Sequence, residues 1–90
     1  MKYRSRSEIT AMIIEAVRSG ATKTKIMYKA YLSYFQVVEY LKYLQQNGLL
    51  TYEEGTQLYR PTERGLKFLN LSDELNEMAT ITNSKYNLNS

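Results

Sequence analysis

Two serine-initiated helix starts constrain this chain more than anything else in it. Ser5 is followed by Glu8, and Ser33 by Gln36. At that spacing the serine hydroxyl accepts from the backbone three residues on, while the longer side chain reaches back to the serine's own N–H. Each start opens an apolar stripe. Ile9, Met12, Ile13, Ala16 and Val17 recur at helical intervals after the first, which predicts a helix over 6–18. Ser19-Gly20 ends it, with Gly20 suited to the left-handed position that closes helices. After the second start, Tyr34, Val37, Leu41 and Leu44 share an inward face with Val38 on its flank, and Gly48 follows Asn47 as the stop. Between them Thr22 caps a short helix over about 23–30, with Ile26 and Met27 as its apolar pair and Ala30-Tyr31-Leu32 as a tight connection. A short helix, a tight connection and a serine-capped longer helix are the layout of a helix-turn-helix.

The second half changes character. Leu49-Leu50-Thr51-Tyr52 and Gln57-Leu58-Tyr59-Arg60 read as short strands around a Glu54-Gly55 turn, with Pro61 ending the second. Thr62 opens a fourth helix, expected over about 62–81. On it Phe68, Leu71, Leu75 and Met78 make an a/d-type seam of under two heptads. Leu66 and Leu69, on a neighbouring face, can pack on the domain itself. Ser72-Asp73-Glu74 is a second helix start, which leaves open a break near Asn70 and a folding back of 72–81. Residues 83–90 are polar and unpatterned, and are expected to be a disordered tail. The expected fold is therefore mainly α with a small β hairpin: a winged helix-turn-helix over 1–82, with a three-helix core, a wing and a C-terminal helix.

Composition narrows the chemistry. The 90 residues include neither Cys nor His. Disulfides, thiolate nucleophiles, the usual zinc ligands and the commonest general base are excluded, and no glycine loop is shaped to cradle phosphate. We expect no enzyme, no cofactor and no metal, and no small-molecule ligand is evident. A core this thin needs a further source of stability, and self-association is the one available. The basic start lacks a signal peptide's apolar core, and no apolar run approaches the roughly 20 residues that span a membrane. A cytoplasmic, nucleoid-associated protein is expected. Charge is uneven: residues 1–48 hold eight Lys/Arg against three acids, and residues 49–90 hold four against six. The first half thus carries +5 and the second −2. That asymmetry points to an anionic partner, although clustered lysines on a short helix also simply face water.

With Tyr34, Val37, Leu41 and Leu44 inward, the third helix presents Phe35, Gln36, Glu39, Lys42, Tyr43 and Gln46 outward. In a major groove Gln pairs with adenine, Glu accepts from the cytosine amino group, Phe meets a thymine methyl, and Lys reaches guanine or phosphate. Phe35, Gln36, Glu39, Lys42 and Tyr43 are the candidate base-facing residues. Arg4, Arg6, Thr22, Lys23, Lys25, Lys29 and Ser33 are the candidate phosphate contacts, the hydroxyls lying near helix N-termini. Tyr28 and Tyr31 could also bond phosphate, or serve as boundary residues. The face has one Lys and no Arg, so a protein partner meeting Phe35, Tyr40 and Tyr43 is the reading from another class. The wing tip carries Glu53 and Glu54, which repel phosphate. Either the wing stays off DNA or only Arg60 and Arg64 at its base contribute.

The strings SEITAMIIEAVRSGATKTKIMYKAYLSY, YLKYLQQNGLL and LYRPTERGLKFL resemble the archaeal winged helix-turn-helix family of the ArnR-like type over about residues 4–70. That family is related to small archaeal chromatin proteins that dimerise through a C-terminal helix. The resemblance implies an archaeal origin, binding of double-stranded DNA and a homodimer. Phe68, Leu71, Leu75 and Met78 are the residues that would pair. Two DNA-binding roles stay open, transcription regulation and chromatin architecture with little sequence preference.

Overall fold

Both serine boxes close. In the computed structural model Ser5 Oγ accepts from the Glu8 N–H at 3.1 Å, the Glu8 carboxylate accepts from the Ser5 N–H at 2.7 Å, and α1 runs Arg6–Ala16. The Ser5 N–H, and then its hydroxyl, hold the Glu8 carboxyl below its usual range. Ser33 and Gln36 form the same reciprocal pair ahead of α3, Tyr34–Gln46. Thr22 caps α2, Lys23–Lys29, by accepting from the Lys25 N–H. The structure describes the backbone of residues 4–89 and the side chains of residues 4–79. Residues 1–3 of the expected domain and residue 90 of the expected tail lie outside the described residues.

The ends of α2 and α3 share a chemistry that their sequences do not. After α3, Gly48 takes φ +72°, its N–H bonds the Gln45 carbonyl, and the Leu49 N–H bonds the Leu44 carbonyl. After α2 the same left-handed position is held by Tyr31, at φ +55°. Its N–H bonds the Tyr28 carbonyl and the Leu32 N–H bonds the Met27 carbonyl. Both are the paired bonds that satisfy the last carbonyls of a helix. The helix-turn-helix connection is thus set by a tyrosine where glycine is the usual choice. Gly20 also has positive φ, +92°, but it follows a turn over 17–19 and does not directly cap α1.

Strands β1, Leu50–Glu53, and β2, Leu58–Pro61, pair antiparallel from Leu50↔Pro61 to Glu53↔Leu58. Pro61 lies inside the ladder, not after it, and the Thr62 N–H supplies the next bond, to the Leu49 carbonyl. The other edge of β2 exchanges two bonds with Ala21, so the loop after α1 forms a third, single-residue strand. At the hairpin tip the left-handed residue is Gln57, φ +59°, and not Gly55.

The core gathers Ile13, Ile14, Val17, Ile26, Val37 and Leu44, with Ile9, Leu41, Leu50, Tyr59 and Leu69 closing it. Ile14 widens the buried face of α1 beyond the expected stripe. Buried Thr10 donates its hydroxyl to the Arg6 carbonyl, so no polar group is orphaned there. Tyr34 corrects the inward set of α3: it is 61 % exposed, because the first helical residue projects past the edge of the core.

Helix α4, Glu63–Asn89, is longer than the expected 62–81 and is unbroken at Asn70 and Ser72. The helix assignment runs on over residues 83–89. No Gly or Pro follows Gly65, so no residue in that stretch imposes a stop. Thr62 ties its start down twice, accepting from the Gly65 N–H and donating to the Gly48 carbonyl. Among the described residues no helix is long and apolar enough to cross a membrane, and no cluster of acids could hold a metal ion.

Candidate nucleic-acid interface

The three buried positions of α3 force its opposite side outward as a ridge. Phe35 is 83 % exposed, and Glu39, Lys42 and Gln46 are exposed along the same face. A groove runs down each side. The first, about 420 Å³, is lined by Arg6, Glu39, Tyr40, Lys42, Tyr43 and Gln46. The second, about 310 Å³, includes Lys23, Val38, Gln45 and Tyr59 among its walls, again with Lys42 and Gln46. Because Lys42 and Gln46 belong to both, they form the crest between the grooves.

Besides the shared Lys42, each groove has one further cation in its wall, and each of these two lies over a tyrosine of α3. The Lys23 ammonium lies 5.5 Å from the Tyr34 ring centre, and the Arg6 guanidinium 5.1 Å from that of Tyr43. Both distances fall within cation–π range. Lys25 is exposed on α2, while Lys29 lines a separate groove with Glu15 and Asp73, between α2 and the α1–α4 pair. The structure therefore brings Lys23 to the α3 face and parts Lys29 from it.

Other candidates are already engaged. The Arg4 guanidinium donates to the carbonyls of Ala30 and Tyr31 and to the Met12 sulfur. It satisfies the C-terminal end of α2 and fixes the helix-turn-helix connection, so in the free chain Arg4 is engaged while Arg6 stays exposed. Ser33 and Thr22 accept from the backbone as caps, and their hydroxyl protons remain available to donate. The Gln36 carbonyl oxygen accepts from the Ser33 N–H. A bidentate contact to adenine uses that same oxygen, so at Gln36 a base would share the acceptor with the cap. Gln46 shares the crest with Lys42 and stands outside the expected base-facing set, although its outward spacing is legible in the sequence.

Around the connection between α2 and α3, Tyr28, Tyr31, Tyr34 and Phe35 are all at least 61 % exposed. Spacing alone does not reveal this aromatic rim, because Tyr34 fits the apolar stripe and Tyr31 sits in a turn. Within the wing one of the two tip carboxylates is neutralised. Glu53 accepts from Thr56 at 2.6 Å and from Arg60 at 3.1 Å. The Thr56 hydroxyl, with the Arg60 charge behind it, holds the Glu53 carboxyl below its usual range. Arg60 is thus paired within the wing, and Arg64 at the start of α4 is exposed. On α4, Leu71, Leu75 and Met78 are 51 %, 67 % and 64 % exposed, whereas Phe68 is half-buried against the core.

The sequence profile of the winged helix-turn-helix family matches residues 3–80. The chain belongs to that family. No curated protein matches the chain. Among solved structures, this winged helix is similar to Sso10a-2, a DNA-binding protein from Sulfolobus solfataricus, with TM-score 0.79 and 22 % identity over 93 % of this chain and 90 % of that one. It is also similar to ZitR of Lactococcus lactis in complex with DNA, with TM-score 0.72 and 19 % identity over 100 % of this chain and 65 % of that one. At these identities the winged-helix fold is what is shared.

Proposed function

We propose that this winged helix binds double-stranded DNA as a non-enzymatic regulator, with α3 in the major groove. The observation that carries it is the uncovered ridge of α3, with Phe35, Glu39, Lys42 and Gln46 outward and a cation in the groove on each side. A helix of this width fits the major groove, and its outward side chains reach base edges. Lys23 meets phosphate, while Lys25 and the hydroxyls of Thr22 and Ser33 add contacts near helix starts. That Sso10a-2 is a DNA-binding protein and that ZitR was solved with DNA support the reading. The likeness to the ArnR-like type, an archaeal source, a nucleoid location and a homodimer through α4 belong to the same proposal.

One observation favours a role in chromatin architecture over sequence-selective regulation. The crest has no Arg, the commonest guanine reader, and the Gln36 carbonyl is engaged in a cap. Binding of random and of selected duplexes across a salt series tests both. We expect affinity to fall steeply with salt, and Lys23→Ala to lower the slope by roughly one unit, since one fewer phosphate is neutralised. A strong preference among competing sequences would favour the regulator, and a flat preference the architectural role. No binding to any duplex at low salt would overturn both and favour a protein partner at Phe35, Tyr40 and Tyr43.

A further inference from the structure

We infer that Arg6 and Tyr43 form a second phosphate clasp, on the side of α3 opposite Lys23, so that the two strands bordering the groove each meet one cation. The inference rests on the proposed seating of α3 in duplex DNA. A helix lying in a major groove has a sugar-phosphate strand on either side, at the walls of a channel about 12 Å wide. The crest residues Lys42 and Gln46 divide the α3 face into two grooves, with Lys23 in one and Arg6 in the other. The duplex face of the domain is thus bracketed by charge, and the far bracket comes from α1, outside the helix-turn-helix itself.

The tyrosine makes the bracket effective. Arg6 is exposed, and an exposed arginine left alone samples many rotamers, which a phosphate contact must freeze. Held 5.1 Å from the Tyr43 ring centre, the planar guanidinium is already oriented, and its N–H fork stays open at the edge for a phosphate. Lys23 has the same support from Tyr34 at 5.5 Å. Tyr43 therefore acts as a positioning residue for Arg6, and not as the base-facing residue its outward spacing suggests. Glu39 shares the Arg6 groove and opposes an anion there. The Arg6 charge offsets it and leaves Glu39 to meet a base amino group from the crest side.

The test uses the full chain and a random-sequence duplex between 50 and 200 mM salt, with thermal unfolding to show that each variant is folded. Arg6→Ala should lower the log–log salt slope by roughly one unit, which makes the loss of affinity across that salt range about 3.5-fold smaller. Arg6→Lys should keep the slope and bind less tightly, because the charge survives but the stacked fork does not. Tyr43→Phe keeps the ring and should match the parent, whereas Tyr43→Leu should weaken binding several-fold. A merely structural role would not separate Phe from Leu in affinity at equal melting temperature. If Lys23→Ala lowers the slope and Arg6→Ala does not, the clasp is wrong while the seating of α3 stands. If Tyr43→Phe and Tyr43→Leu behave alike, the positioning role is wrong. If the parent protein binds no duplex, the clasp falls together with the reading beneath it.

Discussion

Gly65 occupies a place where no β-carbon fits, since one built there would overlap the Leu49 carbonyl oxygen, which belongs to backbone and cannot swing away. That approach lets α4 start where Thr62 bonds both Gly48 and Leu49. Gly65→Ala should cost about 1–3 kcal/mol despite alanine's better helix propensity, as overpacking against a fixed neighbour does. In a domain of this size that lowers the melting temperature by roughly 4–8 °C per kcal/mol. Gly55, with open space around it, is the control, and Gly55→Ala should leave the unfolding midpoint nearly unchanged. Tyr31 poses the reverse problem. Its left-handed backbone costs about 1–2 kcal/mol in a residue with a β-carbon, yet the side chain is 78 % exposed and packs little. The Arg4 bond to Tyr31 is to its carbonyl and survives substitution. Tyr31→Gly should therefore hold or raise thermal stability while weakening duplex binding by about fivefold, the worth of one hydrogen bond. A loss of stability would mean the ring holds the connection, and unchanged affinity would remove Tyr31 from the interface.

Among the elements, the wing carries two groups whose titration is shifted by the fold, in opposite directions. Tyr59, on the central strand of the small sheet, is buried beside the Tyr52 ring at 4.8 Å, and that burial pushes its phenol up from the ordinary value of 10.0. A raised folded value means that the contribution is fully present below pH 10 and is lost as pH rises through the folded value. Glu53 has the opposite sign. Its folded value lies below 4.5, so its contribution is present at neutral pH and fades as pH falls through that lowered value. Denaturation at a series of alkaline pH values should show falling stability above about pH 10, and Tyr59→Phe should flatten that fall. An identical alkaline slope in the two proteins would place the titrating group elsewhere. At this scale the sequence was most legible. Capping residues and apolar intervals are local, and they located α1, α2, α3 and the hairpin. What escaped was set by neighbours distant in the chain. Lys29 shares a groove with Glu15 and Asp73 because α2 packs against α1, and Arg4 reaches the Ala30 and Tyr31 carbonyls, which are presented only once α2 has ended at Lys29. No intra-helical spacing reports that Arg6 of α1 would stand over Tyr43 of α3.

At the scale of the whole molecule, α4 decides the shape. The molecule measures 54 × 30 × 20 Å with a radius of gyration of 15.0 Å, against about 12 Å for a rounded domain of this length. A 27-residue helix is about 40 Å long, and past its packed first turns it projects from the domain, with Leu71 and Leu75 largely exposed. Those two also edge a groove of about 570 Å³ shared with Ala11 and Met12 of α1 and with Phe68. Phe68 thus joins the domain to the stripe and is not a free member of it. A second copy of α4 laid along this stripe would cover apolar surface that one chain leaves in water, at about 25 cal/mol for each Å² removed. If the pairing presents both α3 ridges to one duplex, they would meet half-sites about one helical turn, roughly 34–36 Å, apart, and two-fold symmetry would favour palindromic sites. Sedimentation at tens of micromolar should accordingly give a species of twice the 10.5 kDa chain. Leu75→Glu should reduce it to monomers with the winged helix still folded. It should also weaken duplex binding more than any single substitution at a phosphate-binding residue, because the linked second site is gone. A parent protein that sediments as a monomer would end the proposal, and a dimer untouched by Leu75→Glu would move the interface off α4.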